Sequence, residues 1–253
     1  MQYSIVIPTV PRHHRYIPKL ITFLDSNWNE MEEIIIISSS TDAKSEKKLR
    51  SSLDSLNLIT SLRLVFNPKK QSAGDNRNTG WNISISDFIM FLDADDWYSK
   101  KRDLILSNVI RQKNADLILH SYWKFKPKFF LNFDSFFNRQ DWIETQKLKE
   151  STWNGKLRTP DFEFGINGDT NVIAIDKKGK SLPVQHGHLT IRRSLDIRFP
   201  SRYGEDGLLI RDALERDLKV IFIPNKLSIY NQITFHFMLR SIYRFVKRFL
   251  IFR

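Results

Sequence analysis

Short apolar, β-branched runs recur along the first half of the chain, at Ser4–Ile7, Ile34–Ile37, Leu62–Phe66 and Phe88–Leu92, and each gives way to polar turn residues. Between them the apolar positions take helical spacing. Pro18 opens a segment whose Leu20, Ile21, Phe23 and Leu24 form one face, with proline where the first turn of a helix tolerates it. Ser45 to Leu56 carries Leu49, Leu53 and Leu56 on one stripe and charges on the other side. Buried strands alternating with crossover helices about every 30 residues predict parallel βαβ units. The expected fold is therefore α/β: an open, doubly wound, mostly parallel sheet flanked by helices. Ligands of such sheets bind beyond the carboxyl ends of the strands, so the polar residues after each run are the first candidates for chemistry.

The pattern then changes. From Tyr122 to Phe137 aromatics and lysines interleave with no period of 2 or 3.6. Val172–Ile175 and Leu182–Gln185, separated by Asp176-Lys177-Lys178-Gly179-Lys180, predict a hairpin. Regular pattern returns at His188–Arg192, at a helix from Glu205 to Leu214, and at a strand Val220–Ile223 closed by Pro224. The segment 231–253 has no acid and carries Arg240, Arg244, Lys247 and Arg248 on one helical face, with Phe245, Val246, Phe249, Leu250 and Phe252 over much of the rest. This is the pattern of a basic amphipathic helix in an anionic membrane interface, or of a terminal helix docked on its own domain with a solvated basic edge.

Composition narrows the function. Of 253 residues 41% are hydrophobic and 13% aromatic, too many to stay solvated in a disordered chain. The absence of cysteine excludes disulfides and thiolate metal sites and fits a reducing compartment. The N-terminus has no basic start, long apolar stretch or cleavage site, and no apolar run is long enough to cross a bilayer. A cytoplasmic protein is expected, working at the inner face of the cell membrane if its last helix binds lipid. The net charge of +12 points to anionic partners.

Phe91-Leu92-Asp93-Ala94-Asp95-Asp96-Trp97 sets three carboxylates directly after an apolar strand. Like charges this close raise one another's pKa unless a cation neutralises them, and Mg²⁺ or Mn²⁺ accepts carboxylates together with substrate phosphate oxygens. Aspartate is also an ordinary turn and cap residue. Ahead of the acids, Gln71 to Trp81 reads as a polar turn entering a short helix with Asp75 as its cap.

Ser4-Ile5-Val6-Ile7-Pro8-Thr9, Ser40-Thr41-Asp42, Ala73 to Gly80 and Phe91 to Asp96 together resemble, in order and spacing, the nucleotide-binding half of family 2 glycosyltransferases with the GT-A fold. Gly187-His188-Leu189-Thr190-Ile191-Arg192-Arg193 and Gly204-Glu205-Asp206-Gly207 resemble that family's donor loop and Glu-Asp motif. The resemblance covers residues 3–122 and 186–231. It implies a GT-A domain over 1–230, with a nucleotide-binding half (1–122) and an acceptor and donor-loop half (123–230), followed by the helix at 231–253.

The resemblance further implies that Pro8, Thr9, Ser38, Asp42, Arg77, Asn78, Asp93 and His188 bind the nucleotide-sugar donor. Asp93, Asp95 and Asp96 would hold a divalent metal, Mn²⁺ or Mg²⁺. Asp206 would be the general base and Glu205 its support. The family commonly carries two acids after the second strand, where this chain has Ile37 and Ser38, so a hydroxyl stands in for a charge. His186 and His188 bracket Gly187 in the donor loop, His236 follows the Glu-Asp motif, and His13 and His14 are expected in an exposed basic loop near the phosphates.

The expected activity is inverting, metal-assisted transfer of a sugar from a nucleoside diphosphate, first of all a UDP-sugar, to a hydroxyl of a glycan or lipid-linked acceptor, in bacterial surface polysaccharide assembly. A non-catalytic GT-A-like binding protein is the alternative. A basic nucleic-acid-binding protein is a further one, but no nucleic-acid module is recognisable and nucleic acid is not expected as a partner.

Overall fold

The computed structural model describes residues 2–125, 162–167 and 171–231. Most of the aromatic run that begins at Tyr122, the helix expected over 231–253 and His236 lie outside them.

Strand β1 (Tyr3–Thr9), helix α1 (Ile17–Asn27), β2 (Met31–Ser39), α2 (Ala43–Asp54), β3 (Ser61–Asn67), α3 (Ala73–Ile83) and β4 (Phe88–Phe91) follow the alternation read from the sequence. Then come β5 (Trp97–Tyr98), α4 (Arg102–Lys113), β6 (Leu117–Phe125), β7 (Glu163–Asn167), β8 (Asn171–Ile175), β9 (Ser181–Pro183), β10 (Thr190–Arg192), α5 (Glu205–Glu215) and β11 (Val220–Asn231). The large sheet runs β3-β2-β1-β4-β10-β6-β11-β5, and β7-β8-β9 form a separate small one. In β2, Ile34 and Ile36 join one core layer and Ile35 and Ile37 the other. Burial on both faces is why this strand is a continuous isoleucine run rather than an alternating one.

The pairs β1/β2, β2/β3, β1/β4 and β6/β11 are parallel, whereas β10 runs antiparallel between β4 and β6, and β5 antiparallel to β11. The sheet is thus mixed beyond β4. Because β2 and β4 flank β1 on opposite sides, the chain reverses its direction of winding there, and a crevice opens past the ends of β1 and β4.

Three sequence expectations need correction. Pro224 does not end the last strand, because β11 continues to Asn231 with register shifts between Ile223 and Lys226 and between Lys226 and Ser228. A bulge accommodates a residue that has no N–H for the ladder. The cap of α3 is Ser72, which accepts from Asp75 N at 3.0 Å, while the Asp75 carboxylate takes the Ser72 N–H in return at 3.2 Å. His13 and His14 sit half-buried in a 3₁₀ turn over Pro11–Tyr16, not in an exposed loop.

Candidate active site

A cleft of about 850 Å³ opens at the reversal between β1 and β4. Pro8 and Thr9 at the end of β1, Asn76 and Arg77 on α3, Asp93 and Asp95 after β4, and Glu205 and Asp206 at the start of α5 all line it. The ladder sets these positions. Leu92 N donates to Val6 O at 3.0 Å, so the acids begin where β1 and β4 part. Phe91 N donates to Leu189 O at 3.0 Å, which lays the loop at 185–189 against the same strand end.

Arg77 is the buried cation that joins the acids of the site. It is 3% exposed, donates from Nη2 to Asp93 Oδ1 at 2.9 Å and from Nη1 to Glu205 Oε1 at 2.8 Å, and so ties α3 to both acidic segments. Burial opposes its charge, but Asp93, Asp206 and Glu205 outweigh burial and raise its pKa. Burial would likewise raise Asp93, yet Arg77 and then His188 hold its carboxyl well below the usual carboxylate range. For Asp95 the balance goes the other way: burial, then the charge of Asp93, push it up to about 6 against the weaker pull of His188 and Arg12.

Asp96 does not face the cleft. It is buried, and its Oδ2 lies 3.0 Å from Nε2 of His188, which is fully buried and also 3.5 Å from Asp93 Oδ2. Burial pushes Asp96 up to about 6 against the pull of His188, and the hydrogen bonds that His188 donates to both acids raise it despite its own burial. Donor atoms of Asp93, Asp96 and His188 lie within 4.8 Å of one another, a group able to hold a metal ion. Oxygen donors with one imidazole suit Mn²⁺ or Mg²⁺, and a cation would relieve the crowding that raises Asp95. Asp93 belongs both to this buried group and to the acids on the cleft wall.

Gly187 stands at the convergence of these groups. A Cβ placed on it would come 2.9 Å from Asp93 Oδ2, 3.2 Å from Arg77 Nη2 and 3.6 Å from Asp206 Oδ2. Asp206 holds its Oδ1 against the N–H of Gly207 at 2.8 Å. Asp93, Arg77 and the carboxylate of Asp206 at the start of α5 therefore meet across one backbone position, where a side chain would crowd them.

Other residues singled out in the sequence sit elsewhere. Asp42 is exposed and caps α2, accepting from Ser45 N at 2.7 Å, away from the cleft wall. Ser38 is buried behind the wall, its hydroxyl 2.7 Å from Thr41 Oγ1 and 2.7 Å from His14 Nε2. Asn78 clamps the backbone of Phe199, donating to its carbonyl at 2.8 Å and accepting from its N–H at 3.0 Å. His186 lines the cleft with its Nε2 2.9 Å from Val172 O.

Sequence reasoning missed several supports. Tyr98 donates to Asp93 O at 2.8 Å, and Arg102, fully buried, donates to His188 O at 2.8 Å. Both follow the acids closely in the chain, but nothing in their spacing marks them. His13, expected near the phosphates, does line the cleft, and burial together with Arg12 lowers it to about 4, so it is neutral at physiological pH.

Acids past the switch between β1 and β4 thus face a Glu-Asp pair on a second element across one cleft. The sequence profile of Glycosyl transferase family 2 matches residues 4–196, and the chain belongs to that family. No curated protein matches it.

Among solved structures, residues 1–349 of TarS from S. aureus in complex with UDP-GlcNAc superpose with a TM-score of 0.62 at 15% identity, covering 92% of this chain and 59% of that one. A mannosyltransferase from Pyrobaculum calidifontis in complex with GDP-Man and Mn²⁺ gives 0.54 at 14% identity, covering 90% and 56%. Glucosyl-3-phosphoglycerate synthase from Mycobacterium tuberculosis with Mg²⁺ and UDP gives 0.51 at 12%, covering 94% and 74%. The chain thus spans about three-fifths of the TarS fragment it resembles. Among the described residues, no helix is long and apolar enough to cross a membrane.

Proposed function

We propose that the protein transfers a sugar, with inversion, from a nucleoside diphosphate donor, first of all a UDP-sugar, to a hydroxyl of a glycan or lipid-linked acceptor. The observation that carries this reading is the meeting of Asp93, Arg77 and Asp206 around Gly187. It puts a carboxylate able to take a proton next to charges able to position a diphosphate. The UDP, UDP-GlcNAc and GDP-Man complexes of the similar structures support the donor class. Bacterial surface polysaccharide assembly is the setting we assign to it.

In this mechanism Arg77 fixes Asp93 and Glu205, so the two walls of the cleft hold their spacing. Asp206, with Oδ1 pinned by Gly207 N–H, keeps Oδ2 for the acceptor hydroxyl. The acceptor oxygen bonds to the anomeric carbon, the bond from that carbon to the phosphate oxygen breaks, its electron pair leaves with the diphosphate, and the proton goes to Asp206. A general base of this kind contributes roughly 10²–10⁴-fold. Asp93 and Asp95, with Asp96 and His188 behind them, would hold a divalent cation, which when bound neutralises charge gathering on the leaving diphosphate. Pro8 and Thr9 line the nucleotide side.

A screen of nucleotide sugars for thermal stabilisation with Mn²⁺ or Mg²⁺ tests the reading, since a ligand that binds only the folded state raises Tm. Metal-dependent stabilisation by at least one UDP- or GDP-sugar is expected. Silence across all donors would leave a non-catalytic GT-A-like protein.

A further inference from the structure

Four large apolar-bodied side chains are exposed among the described residues: Ile59, Ile85, Leu104 and Tyr203. Of these only Tyr203, at 96% exposure, lines the cleft. It stands three residues before Asp206, on the segment that links Phe199 to the start of α5.

That segment is firmly held. Asn78 grips the Phe199 backbone at both its N–H and its carbonyl. Ser201 donates to the Asp75 carboxylate, itself part of the α3 capping box. Pro200 is pressed against α3, because a Cβ on Gly74 would come 2.8 Å from its carbonyl oxygen. At the far end Gly204 takes a left-handed φ of 76° as it enters α5, a conformation that strains other residues. A flat phenol ring is therefore presented to solvent from a held backbone, so covering it costs mainly the freedom of its own side chain.

We propose that Tyr203 is the stacking platform for the pyranose ring of the acceptor. The inference rests on the reading of Asp206 as general base, which requires an acceptor hydroxyl within hydrogen-bond reach of that carboxylate. A pyranose ring has an apolar C–H face that packs on an aromatic ring and a rim of hydroxyls that needs polar partners. Tyr203 supplies the first, and Asp206 with Asn171 and His186, which line the same cleft, supplies the second. Pro8 and Thr9, to which the proposed function gives the nucleotide, lie at the end of β1, on an element other than the segment that carries Tyr203.

The test uses the full chain with UDP and Mg²⁺ and, as acceptor probes, the methyl glycosides of glucose, galactose, N-acetylglucosamine and mannose, read by saturation-transfer NMR. Saturation of the C–H face of at least one glycoside is expected. It should fall at least about 5-fold in Tyr203→Ala and persist in Tyr203→Trp. Metal-dependent stabilisation by UDP should be unchanged in both variants. Equal saturation in Tyr203→Ala and wild type, or none in wild type, overturns the proposal. Loss of UDP stabilisation in Tyr203→Ala also overturns it, by assigning the ring to the nucleotide. If UDP fails to stabilise the wild type while the glycosides still depend on Tyr203, the donor reading falls and the sugar platform stands.

Discussion

Arg77 donates to Asp93 Oδ1 at 2.9 Å while its other Nη holds Glu205, so one buried guanidinium joins the acids of both cleft walls. Removing it strands two carboxylates. Breaking a fully buried pair costs about 3–5 kcal/mol. The Asp93 side chain keeps 27% exposure and Glu205 15%, so water softens the loss and Arg77→Ala should cost about 2–4 kcal/mol in urea unfolding. Arg77→Lys carries one point charge and cannot serve both partners, so it should recover stability only in part. A cost below ~0.5 kcal/mol for Arg77→Ala would show that the pair does not brace the site.

The strand ends that make this pairing visible were legible in the sequence, because β1, β2 and β4 are buried on both faces and stand out as unbroken apolar runs. The acids after β4 follow from that position alone. Helix α4 was not legible, since its buried side includes Arg102, Asp103 and Ser107, which interrupt the apolar period. The partition of the acids was equally hidden. Asp93 and Asp95 face the cleft while Asp96 turns to His188, a contact across 92 residues that local pattern cannot carry. Asp42 and Asn78 fit the family's motifs, yet one serves as a helix cap and the other as a clamp on Phe199, roles that polar side chains near helix starts often fill.

Gly187→Ala is expected to leave the fold intact and impair the site. The added methyl would meet Asp93 Oδ2 at 2.9 Å and Arg77 Nη2 at 3.2 Å, so these side-chain ends must shift slightly. Because they set the spacing of the site, turnover should fall, by less than the ~10²-fold of a full 1 Å misplacement. Circular dichroism should match wild type while donor turnover drops. Wild-type turnover would mean that the loop at 185–189 yields freely and does not set the geometry.

Asp206→Asn and Glu205→Gln separate the base from its neighbour. Asparagine keeps the shape and can still accept from Gly207 N–H, but it cannot take a proton, so transfer should fall roughly 10²–10⁴-fold with UDP binding retained. Glu205→Gln removes the charge that faces Arg77 and should act first on stability, with a much smaller loss of turnover. If Glu205→Gln were the more damaging change to turnover at equal Tm, the two roles would have to be exchanged.

Asp95 links stability to activity through its proton. Its folded pKa of about 6 stands above the ordinary value of 3.8, because burial and Asp93 disfavour its charge. The folded state therefore binds a proton more tightly than the unfolded chain, and this group loses stability as pH rises through about 4 to 6 and contributes a penalty above that window. Asp95→Asn should remove the penalty. Its Tm at pH 7.5 should exceed that of wild type, by about 2–4 °C for each kcal/mol relieved in a chain of this size. The advantage should shrink at pH 4.5, where wild-type Asp95 is already largely protonated in the folded state. Mn²⁺ should raise the wild-type Tm at pH 7.5 and do less for the variant, while transfer activity in the variant is lost. Comparing variant and wild type at each pH separates Asp95 from His188, whose raised pKa also loses stability as pH rises, and a Tm difference that stays constant between pH 4.5 and 7.5 would show that Asp95 carries its charge without cost.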